Sequence, residues 1–409
     1  MSTSMVDWTV ALSTASRLVK PGPDISREGA AAAVADLRTC AVRAEEYVQQ
    51  VTGLTAASGT APVLIIDRPR WIEANIDGFR QVLAPLTAKT AERTKDQNPA
   101  LISIGARITG VEVGALLSYL APKVLGQFDP FYPEASQHAT PPADATTADP
   151  ASTAPPAGSA IDEPPAEPAI DELPPGGRLL LVAPNIVAVE RELDLIPSDF
   201  RLWVCLHEET HRVQFTAVPW LRGHLNAQIA ELVATADIDG AALAQMLREA
   251  VKRVSESVRG DIEISIIDLV QTPAQREIVD RITAVMSLLE GHADVVMDGV
   301  GPEVIGSIAE IRRRFDVRRQ GQGFDKIVRR LLGLDAKMRQ YRDGAAFCKA
   351  VITAGGMDGL NRVWTSPETL PTKAEIADPK LWLARMDSDT SAEAITTGED
   401  GSTPNEPTG

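Results

Sequence analysis

Cysteine is scarce in this chain, which has three cysteines, Cys40, Cys205 and Cys348, among 409 residues. They are too few and too widely separated to form a disulfide framework or a CxxC metal site. We therefore expect small buried side chains at these positions, in a protein that folds in a reducing compartment. This expectation favours a cytoplasmic location.

Positive charge is also in deficit, because 40 lysines and arginines stand against 56 acidic residues and give a net charge of −16. A general nucleic-acid-binding protein needs a basic footprint, so the composition argues against this class. Most of the excess acid lies in two tracts without lysine or arginine, residues 133–176 with eight acidic residues and residues 387–409 with six. The rest of the chain is therefore nearly neutral.

Long apolar runs are missing as well. The longest stretch, Val111–Leu125, is interrupted by Glu112, Pro122 and Lys123 and is too short to cross a bilayer. The N-terminal segment lacks both a basic region and a continuous apolar region, so it does not read as a signal peptide. We expect a soluble protein without membrane association.

The composition and the hydrophobic periodicity divide the chain into four segments. Eleven of the 44 residues from 133 to 176 are proline, and most of the others are alanine, threonine or acidic residues. Such a segment cannot bury enough apolar surface to offset chain entropy, so we predict a disordered loop that joins two parts of one fold. The segments are an N-terminal helical region (1–132), the disordered insertion rich in proline, alanine and acid (133–177), an ordered region (178–386) and a disordered acidic tail (387–409).

The N-terminal region shows two helical patterns. Asp67-Arg68-Pro69 places proline in the first turn of a helix, and apolar residues follow at helical spacing. A second long helix is predicted from Leu101 to Gln127. Small residues or proline recur every four positions along it, which indicates that another helix packs closely against this face. These positions are Gly110, Gly114, Ser118 and Pro122.

The ordered region begins with a short strand pattern over residues 178–184. A helix then starts near Ser198, just after Pro197, and is expected to end near Thr216. The predicted fold class is therefore mainly α, with a small β element before this helix.

A further long helix is predicted to begin at Thr272-Pro273-Ala274-Gln275, which forms a capping box with proline in the first turn. We expect this helix to run to about Asp298. Gly299 is the predicted stop.

The helix after Pro197 contains the pattern H-E-x-x-H at His207-Glu208-Glu209-Thr210-His211. Residues four apart on a helix point the same way, about 40° from each other, so both imidazoles can reach one ion. Zinc accepts histidine nitrogens and keeps an open position for water in catalytic sites. Glu208 can then take a proton from that water, which the metal makes more acidic. Glu209 faces away from His207 and is expected to be solvated or to lie behind the ligands.

A third ligand must come from elsewhere in the chain. An extended motif with glycine and histidine at 214 and 217 is excluded, because these residues are Gln214 and Ala217. On the later helix, Glu290 and Asp294 lie on one stripe, so one can bind the metal while the other orients a ligand histidine. Glu290 is the preferred ligand and Asp294 the orienting residue. His292 lies about 200° around the helix from Glu290 and stays open as the alternative ligand.

These residues carry a resemblance to known proteins. An H-E-x-x-H motif followed by a distant E-x-x-x-D resembles the gluzincin class of metallopeptidases, in which two histidines and a glutamate bind zinc. More closely, the chain resembles an actinobacterial family of zincin-like metallopeptidases, described as hydrolases and partly associated with deazaflavin-coenzyme biosynthesis. The resemblance implies a mainly helical zincin-like fold with 178–386 as its catalytic region. The matching stretches are 67–71, 124–129, 183–186, 203–222, 290–294 and 340–342.

Further residues have candidate roles beside an ordinary structural one. His224 or Tyr341 could hold the oxyanion of a tetrahedral intermediate. Residues 311–342 are rich in arginine and lysine, which favours solvated helix faces paired with acidic residues, with binding of an acidic substrate as the alternative.

Two hypotheses follow for the function. The first is a zinc-dependent hydrolase, most simply a metallopeptidase, that acts on a peptide or another amide substrate. In it, His207, His211 and Glu290 hold Zn²⁺ and a metal-bound water is activated by Glu208. The alternative is a non-catalytic, metal-stabilised interaction protein that works through its basic helices and its insertion. The sequence leaves the substrate and the oligomeric state open.

Overall fold

The computed structural model describes residues 5–55, 61–93, 98–130, 132, 177–235, 272–321 and 334–397. The predicted insertion (133–177) lies outside these residues except for Gly177.

The described residues are mostly helical and include one small sheet, which confirms the predicted mainly α class. The helices are α1 (Trp8–Leu18), α2 (Arg27–Thr52), α3 (Arg68–Val82), α4 (Ala84–Arg93), α5 (Pro99–Leu120), α6 (Ala183–Glu192), α7 (Pro197–Ala217), α8 (Pro219–Thr235), α9 (Pro273–Val300), α10 (Ile308–Gly321), α11 (Leu334–Asn361), α12 (Lys373–Ala377) and α13 (Pro379–Thr397). The strands are β1 (Val63–Ile66), β2 (Gly126–Asp129) and β3 (Arg178–Val182).

The sheet joins the parts of the chain on both sides of the insertion. Its strand order is β1-β3-β2, with β3 parallel to β1 and antiparallel to β2. Ile65 pairs with Leu181, and Gly126 pairs with Leu181 from the other side. The N-terminal and the later region therefore share one sheet.

The two faces of the sheet are buried against different helices. On one face, Ile65 and Leu181 belong to an apolar cluster with residues of α2 and α7. On the other face, Leu64 and Leu180 pack with residues of α1, α3 and α5. The helix with the H-E-x-x-H motif is therefore fixed between the sheet and α2.

The close packing predicted for the small-residue face of α5 is confirmed. A Cβ atom on Gly110 would lie 2.5 Å from the carbonyl oxygen of Asp7, and one on Gly114 would collide with the carbonyl oxygen of Ala11. Helix α1 therefore lies directly on the backbone of α5. The helix predicted to begin at Asp67-Arg68-Pro69 is confirmed as α3. Asp67 caps it, because its carboxylate accepts a hydrogen bond from Arg70 N at 2.9 Å.

The predicted C-terminal end of α5 is wrong. The helix ends at Leu120, and the residues expected to continue it to Gln127 form a short 3₁₀ turn and strand β2. The cause is tertiary, because the buried amide of Asn185 donates hydrogen bonds to the carbonyl oxygens of Ala121 (2.7 Å) and Val124 (2.6 Å). These bonds hold the chain in a turn that leads into the sheet.

By length and composition, one helix among the described residues is long and apolar enough to cross a membrane. The span comprises α5 and the 3₁₀ turn that follows it, Pro99–Lys123, and 33% of its apolar window is buried in the protein. The sequence-based count began only at Val111 and therefore underestimated its length. The expected absence of membrane association stays a prediction.

The long helix α9 begins as predicted. The Thr272 hydroxyl accepts from Gln275 N and the Gln275 side chain accepts from Thr272 N, which completes the capping box. The predicted stop at Gly299 is wrong by two residues. The helix runs to Val300, and Gly301 follows with a φ of 75°, a value that favours glycine.

The last helix differs from the predicted tail boundary. Helix α13 continues through Thr397, past the boundary expected at residue 386, whereas residues 398–409 lie outside the described part. The helix is anchored by Trp382 and Met386, whose side chains are buried in an apolar cluster.

We expect Gly114→Ala to destabilise the protein by about 1–3 kcal/mol, because the new methyl group overpacks the contact with α1. The matched control is Gly105→Ala in the same helix, where a Cβ meets nothing within 4 Å. The control should gain stability through helix propensity, by up to about 1 kcal/mol. Urea denaturation measures both changes, and equal free energies of unfolding for the two variants would contradict the described packing.

Candidate metal centre

Helix α7 places the two histidines of the motif on one side. Their Nε2 atoms lie 3.2 Å apart, and the rings are nearly perpendicular with centroids 4.7 Å apart. Pro197 stands in the first turn of α7, and the apolar residues before His207 are buried in the core. The helix is therefore anchored by its own first turns, while the histidines face a neighbouring helix.

Glu290 reaches the same point from α9. Its Oε2 atom lies 3.6 Å from Nε2 of His207 and 3.7 Å from Nε2 of His211. The ligand atoms of all three residues lie within 4.8 Å of one another. The structure thus brings together the three residues that the sequence assigned to a metal.

The three atoms have the spacing that zinc requires. Tetrahedral zinc with bonds of about 2.0–2.2 Å holds its donor atoms about 3.3–3.6 Å apart. The observed separations of 3.2, 3.6 and 3.7 Å are close to this range, and an ion displaced slightly from the plane of the three atoms would lie about 2.1 Å from each of them. Two imidazoles and one carboxylate are also a donor set that zinc accepts.

The electrostatics of the cluster favour a positive charge. Burial lowers the pKa of His211, but the carboxylate of Glu290, with smaller contributions from Glu208 and Gln214, outweighs this effect and raises the pKa of His211 to about 9. A bound cation would take the place of this proton.

Glu208 is buried beside the cluster. Burial raises the pKa of Glu208 to about 7, with an opposing effect of His211. Its side chain lies against strand β2, because a Cβ atom on Gly126 would be 2.5 Å from its Cγ and 2.9 Å from its Oε1. Glycine at 126 therefore leaves the space that the Glu208 carboxylate occupies.

His292, the alternative third ligand, points away from the cluster. Its ring is fully buried, its Nδ1 accepts a hydrogen bond from Gln214 Nε2 at 3.0 Å, and it packs nearly perpendicular to Trp364. Burial lowers the pKa of His292 to about 3. Glu290 is the residue of this pair that joins the two histidines.

Asp294 was expected to orient a ligand histidine, and for His211 another residue has this place, whereas for His207 the expectation stays a prediction. The Nδ1 atom of His211 is hydrogen-bonded to Gln214 Oε1 at 2.9 Å. Asp294 has a half-exposed side chain whose Oδ1 lies 3.7 Å from Arg312. The sequence missed Gln214, which lies three residues after His211 on the same helix.

The other candidate residues lie in different surroundings. His224 is on α8 with its ring 6.0 Å from that of Trp220, and no described contact joins it to the cluster. Tyr341 is in α11, but its side chain lies outside the described part of the structure. A role for either residue in oxyanion binding stays a prediction.

Glu209 is buried rather than solvated. Its carboxylate binds the Arg212 guanidinium in a short contact of 2.6 Å, and Arg212 also pairs with Glu45 of α2 at 2.8 Å. This network ties the motif helix to α2.

Among the basic residues after 310, Arg312 pairs with Asp298, and Arg313 pairs with Glu310. These pairs agree with the expectation of helix faces paired with acidic residues.

Replacing Glu290 by Gln should lower zinc affinity by more than about 100-fold, because a neutral amide replaces a charged ligand and outer-shell changes alone cost 10- to 100-fold. Competition with a zinc-chelating dye measures the affinity. The control is Glu277→Gln, an exposed residue of the same helix, which should bind zinc like the wild type. Wild-type affinity in the Glu290 variant would remove Glu290 from the ligand set.

The chain is similar to known proteins over most of its length. A solved structure from Chloroflexus aurantiacus, described as a "putative hydrolase with a novel fold", is 29% identical to this chain. The similarity covers 93% of this chain and 99% of that chain, with a TM-score of 0.59. A comparison with curated proteins gives no match. The family model of the zincin-like metallopeptidases matches residues 6–383, and the chain belongs to this family.

Proposed function

We propose that this protein is a zinc-dependent metallopeptidase that hydrolyses an amide bond of a peptide. The proposal rests on one observation. The donor atoms of His207, His211 and Glu290 lie close together, and the buried carboxylate of Glu208 belongs to the residue directly after His207. Membership of the zincin-like metallopeptidase family supports the same chemistry.

His207, His211 and Glu290 would hold the metal, because their donor atoms have the required spacing. When bound, zinc polarises a carbonyl group and makes a water molecule more acidic. The open side of a three-ligand site gives space for water and for substrate.

Glu208 acts as the general base and then as the general acid. Its carboxylate accepts the proton of the attacking water, and it returns that proton to the nitrogen of the leaving amine. Two features support this role. Glu208 follows the ligand His207 directly, and its burial keeps the carboxylate in a fixed, poorly solvated position against β2.

The finer points of the proposal rest on the sequence. Peptide is the simplest amide substrate, and the scarcity of cysteine favours a cytoplasmic protein. The actinobacterial origin and the association with deazaflavin-coenzyme biosynthesis are carried by the family resemblance alone. A structural role for zinc is the competing hypothesis, and it predicts global unfolding on chelation without any hydrolysis.

Glu208→Gln should keep zinc and fold but lower the rate of hydrolysis by about 100- to 10,000-fold, because the amide cannot accept the proton. Cleavage of a mixed peptide library, followed by mass spectrometry, gives the rate. Zinc content and circular dichroism are the controls for an intact site. Full activity in this variant, on any peptide of the library, would remove the proposed mechanism.

Gly126→Ala should displace the Glu208 carboxylate, since the added methyl group overlaps with it. We expect activity to fall by about tenfold or more, because small misplacements of a catalytic group are costly. Zinc affinity should change little, as Glu208 is not a ligand. Gly223→Ala on α8 is the matched control, because a Cβ there meets nothing within 4 Å. Equal activities of the two variants would contradict a role for the contact between β2 and Glu208 in hydrolysis.

A further inference from the structure

The side chain of Gln214 connects His211 of the candidate metal site to His292, which lies outside that site. It is fully buried between α7 and α9 and makes three polar contacts. Its Oε1 lies 2.9 Å from Nδ1 of His211, and its Nε2 lies 2.9 Å from the carbonyl oxygen of Leu289 and 3.0 Å from Nδ1 of His292.

The carbonyl group of Leu289 determines how the Gln214 amide is oriented. A backbone carbonyl oxygen can only accept a hydrogen bond, so the NH₂ group of Gln214 must face it. The amide oxygen then faces His211, whose Nδ1 must be the donor. Nδ1 of His211 therefore keeps a proton, and Nε2, 3.7 Å from Oε2 of Glu290, is the nitrogen that would bind a metal when it gives up its own proton.

The second N–H of the Gln214 amide needs an acceptor of its own, because the side chain is fully buried. Nδ1 of His292 is that acceptor, which places the proton of His292 on Nε2. The His292 ring is held by Trp364, with ring centroids 5.4 Å apart and planes at 73°. Its buried Nε2 has no hydrogen-bond partner among the described residues. The ring therefore serves the amide with one nitrogen only.

We propose that His292 is a positioning residue for zinc binding: with the Leu289 carbonyl, it anchors the NH₂ end of the Gln214 amide, which in turn holds His211 in the tautomer that presents Nε2 to the metal. This inference rests on the proposed function, since it concerns the same metal site. In this proposal, His292 does not bind the metal itself but acts on the site through its hydrogen bond with Gln214. Without His292, one buried N–H of the amide loses its acceptor and Leu289 alone holds the amide, so the hydrogen bond to His211 is less well fixed.

A double-mutant cycle on zinc affinity tests the connection. The proteins are the wild type, His292→Leu, Gln214→Leu and the double variant, each titrated with zinc against a chelating dye. We expect Gln214→Leu to weaken binding by about 10- to 100-fold and His292→Leu by about tenfold. The double variant should bind zinc like Gln214→Leu alone, because His292 acts through the amide. Fold-losses that multiply in the double variant would overturn the proposal.

His292→Asn provides the conservative replacement, because the Asn Oδ1 can accept the same hydrogen bond. We expect its zinc affinity to lie within about threefold of the wild type, whereas His292→Leu is about tenfold weaker. Urea denaturation of the zinc-free variants reports any structural loss separately. If folded His292→Asn binds zinc as weakly as His292→Leu, the acceptor role is wrong.

Nuclear magnetic resonance of the ¹⁵N-labelled histidines tests the hydrogen bonds without metal. We expect the proton of His292 on Nε2 in the zinc-free wild type, and a proton on Nδ1 would overturn the proposal. A wild-type protein that does not bind zinc but shows this tautomer would instead overturn the proposed function. The two failures are therefore distinguishable.

Discussion

The reach of one carboxylate across two helices is the constraint on which the site depends. Glu290 on α9 must place an oxygen within 3.7 Å of two imidazoles on α7, although the residues are far apart in the sequence. A shift of one helix by a single residue would turn Glu290 away, because neighbouring residues on a helix differ by about 100°. The bond from Gln214 to the carbonyl oxygen of Leu289, the residue before the ligand, opposes such a shift. Register and ligand geometry are thus set by the same contact.

Three of the stretches that resemble the zincin-like family, 67–71, 124–129 and 183–186, meet at strand β2. Arg68 Nε donates to Asn185 Oδ1 at 2.7 Å, and Asn185 holds the turn before β2. Trp71 Nε1 donates to the side chain of Gln127, within β2, at 2.9 Å. Residues without any catalytic chemistry therefore fix the strand whose first residue, Gly126, lies against Glu208. Polar contacts of Arg68, Trp71 and Asn185 thus support the position of Glu208 through β2.

Local signals were sufficient for much of the fold. The spacing of His207 and His211, the cap at Asp67 and the capping box at Thr272 each depend on residues within one or two helical turns. The end of α5 failed because its termination depends on Asn185, whose side chain comes from beyond the insertion. Pro122 and Gly126 are local signals against a helix to Gln127, but the turn that replaces it depends on Asn185 and is not visible in this stretch.

Within the site, the rotation of α9 decided what the sequence left open. Glu290 and His292 lie on different sides of this helix, and the sequence alone cannot say which side faces α7. The structure turns Glu290 to the histidines and His292 to Gln214. The sequence did not reveal the role of Gln214 for the same reason, because this role depends on a hydrogen bond to the backbone of α9. Asp294 is four residues after Glu290, a spacing that suited the role of orienting a ligand histidine, but its carboxylate lies 3.7 Å from Arg312.

Strands β2 and β3 have a consequence for how this molecule tolerates change in length. The antiparallel pair ends where Asp129 meets Arg178, and these side chains form a buried ion pair at 3.1 Å. Both ends of the intervening chain are thus clamped next to each other, like the base of a hairpin. Closing such a loop costs only about 0.6 kcal/mol more for each doubling of its length. A change in the number of residues within 133–176 therefore alters the closure cost only slightly, whereas the buried Tyr132 and its contacts with Arg178 and Arg222 belong to the fixed base.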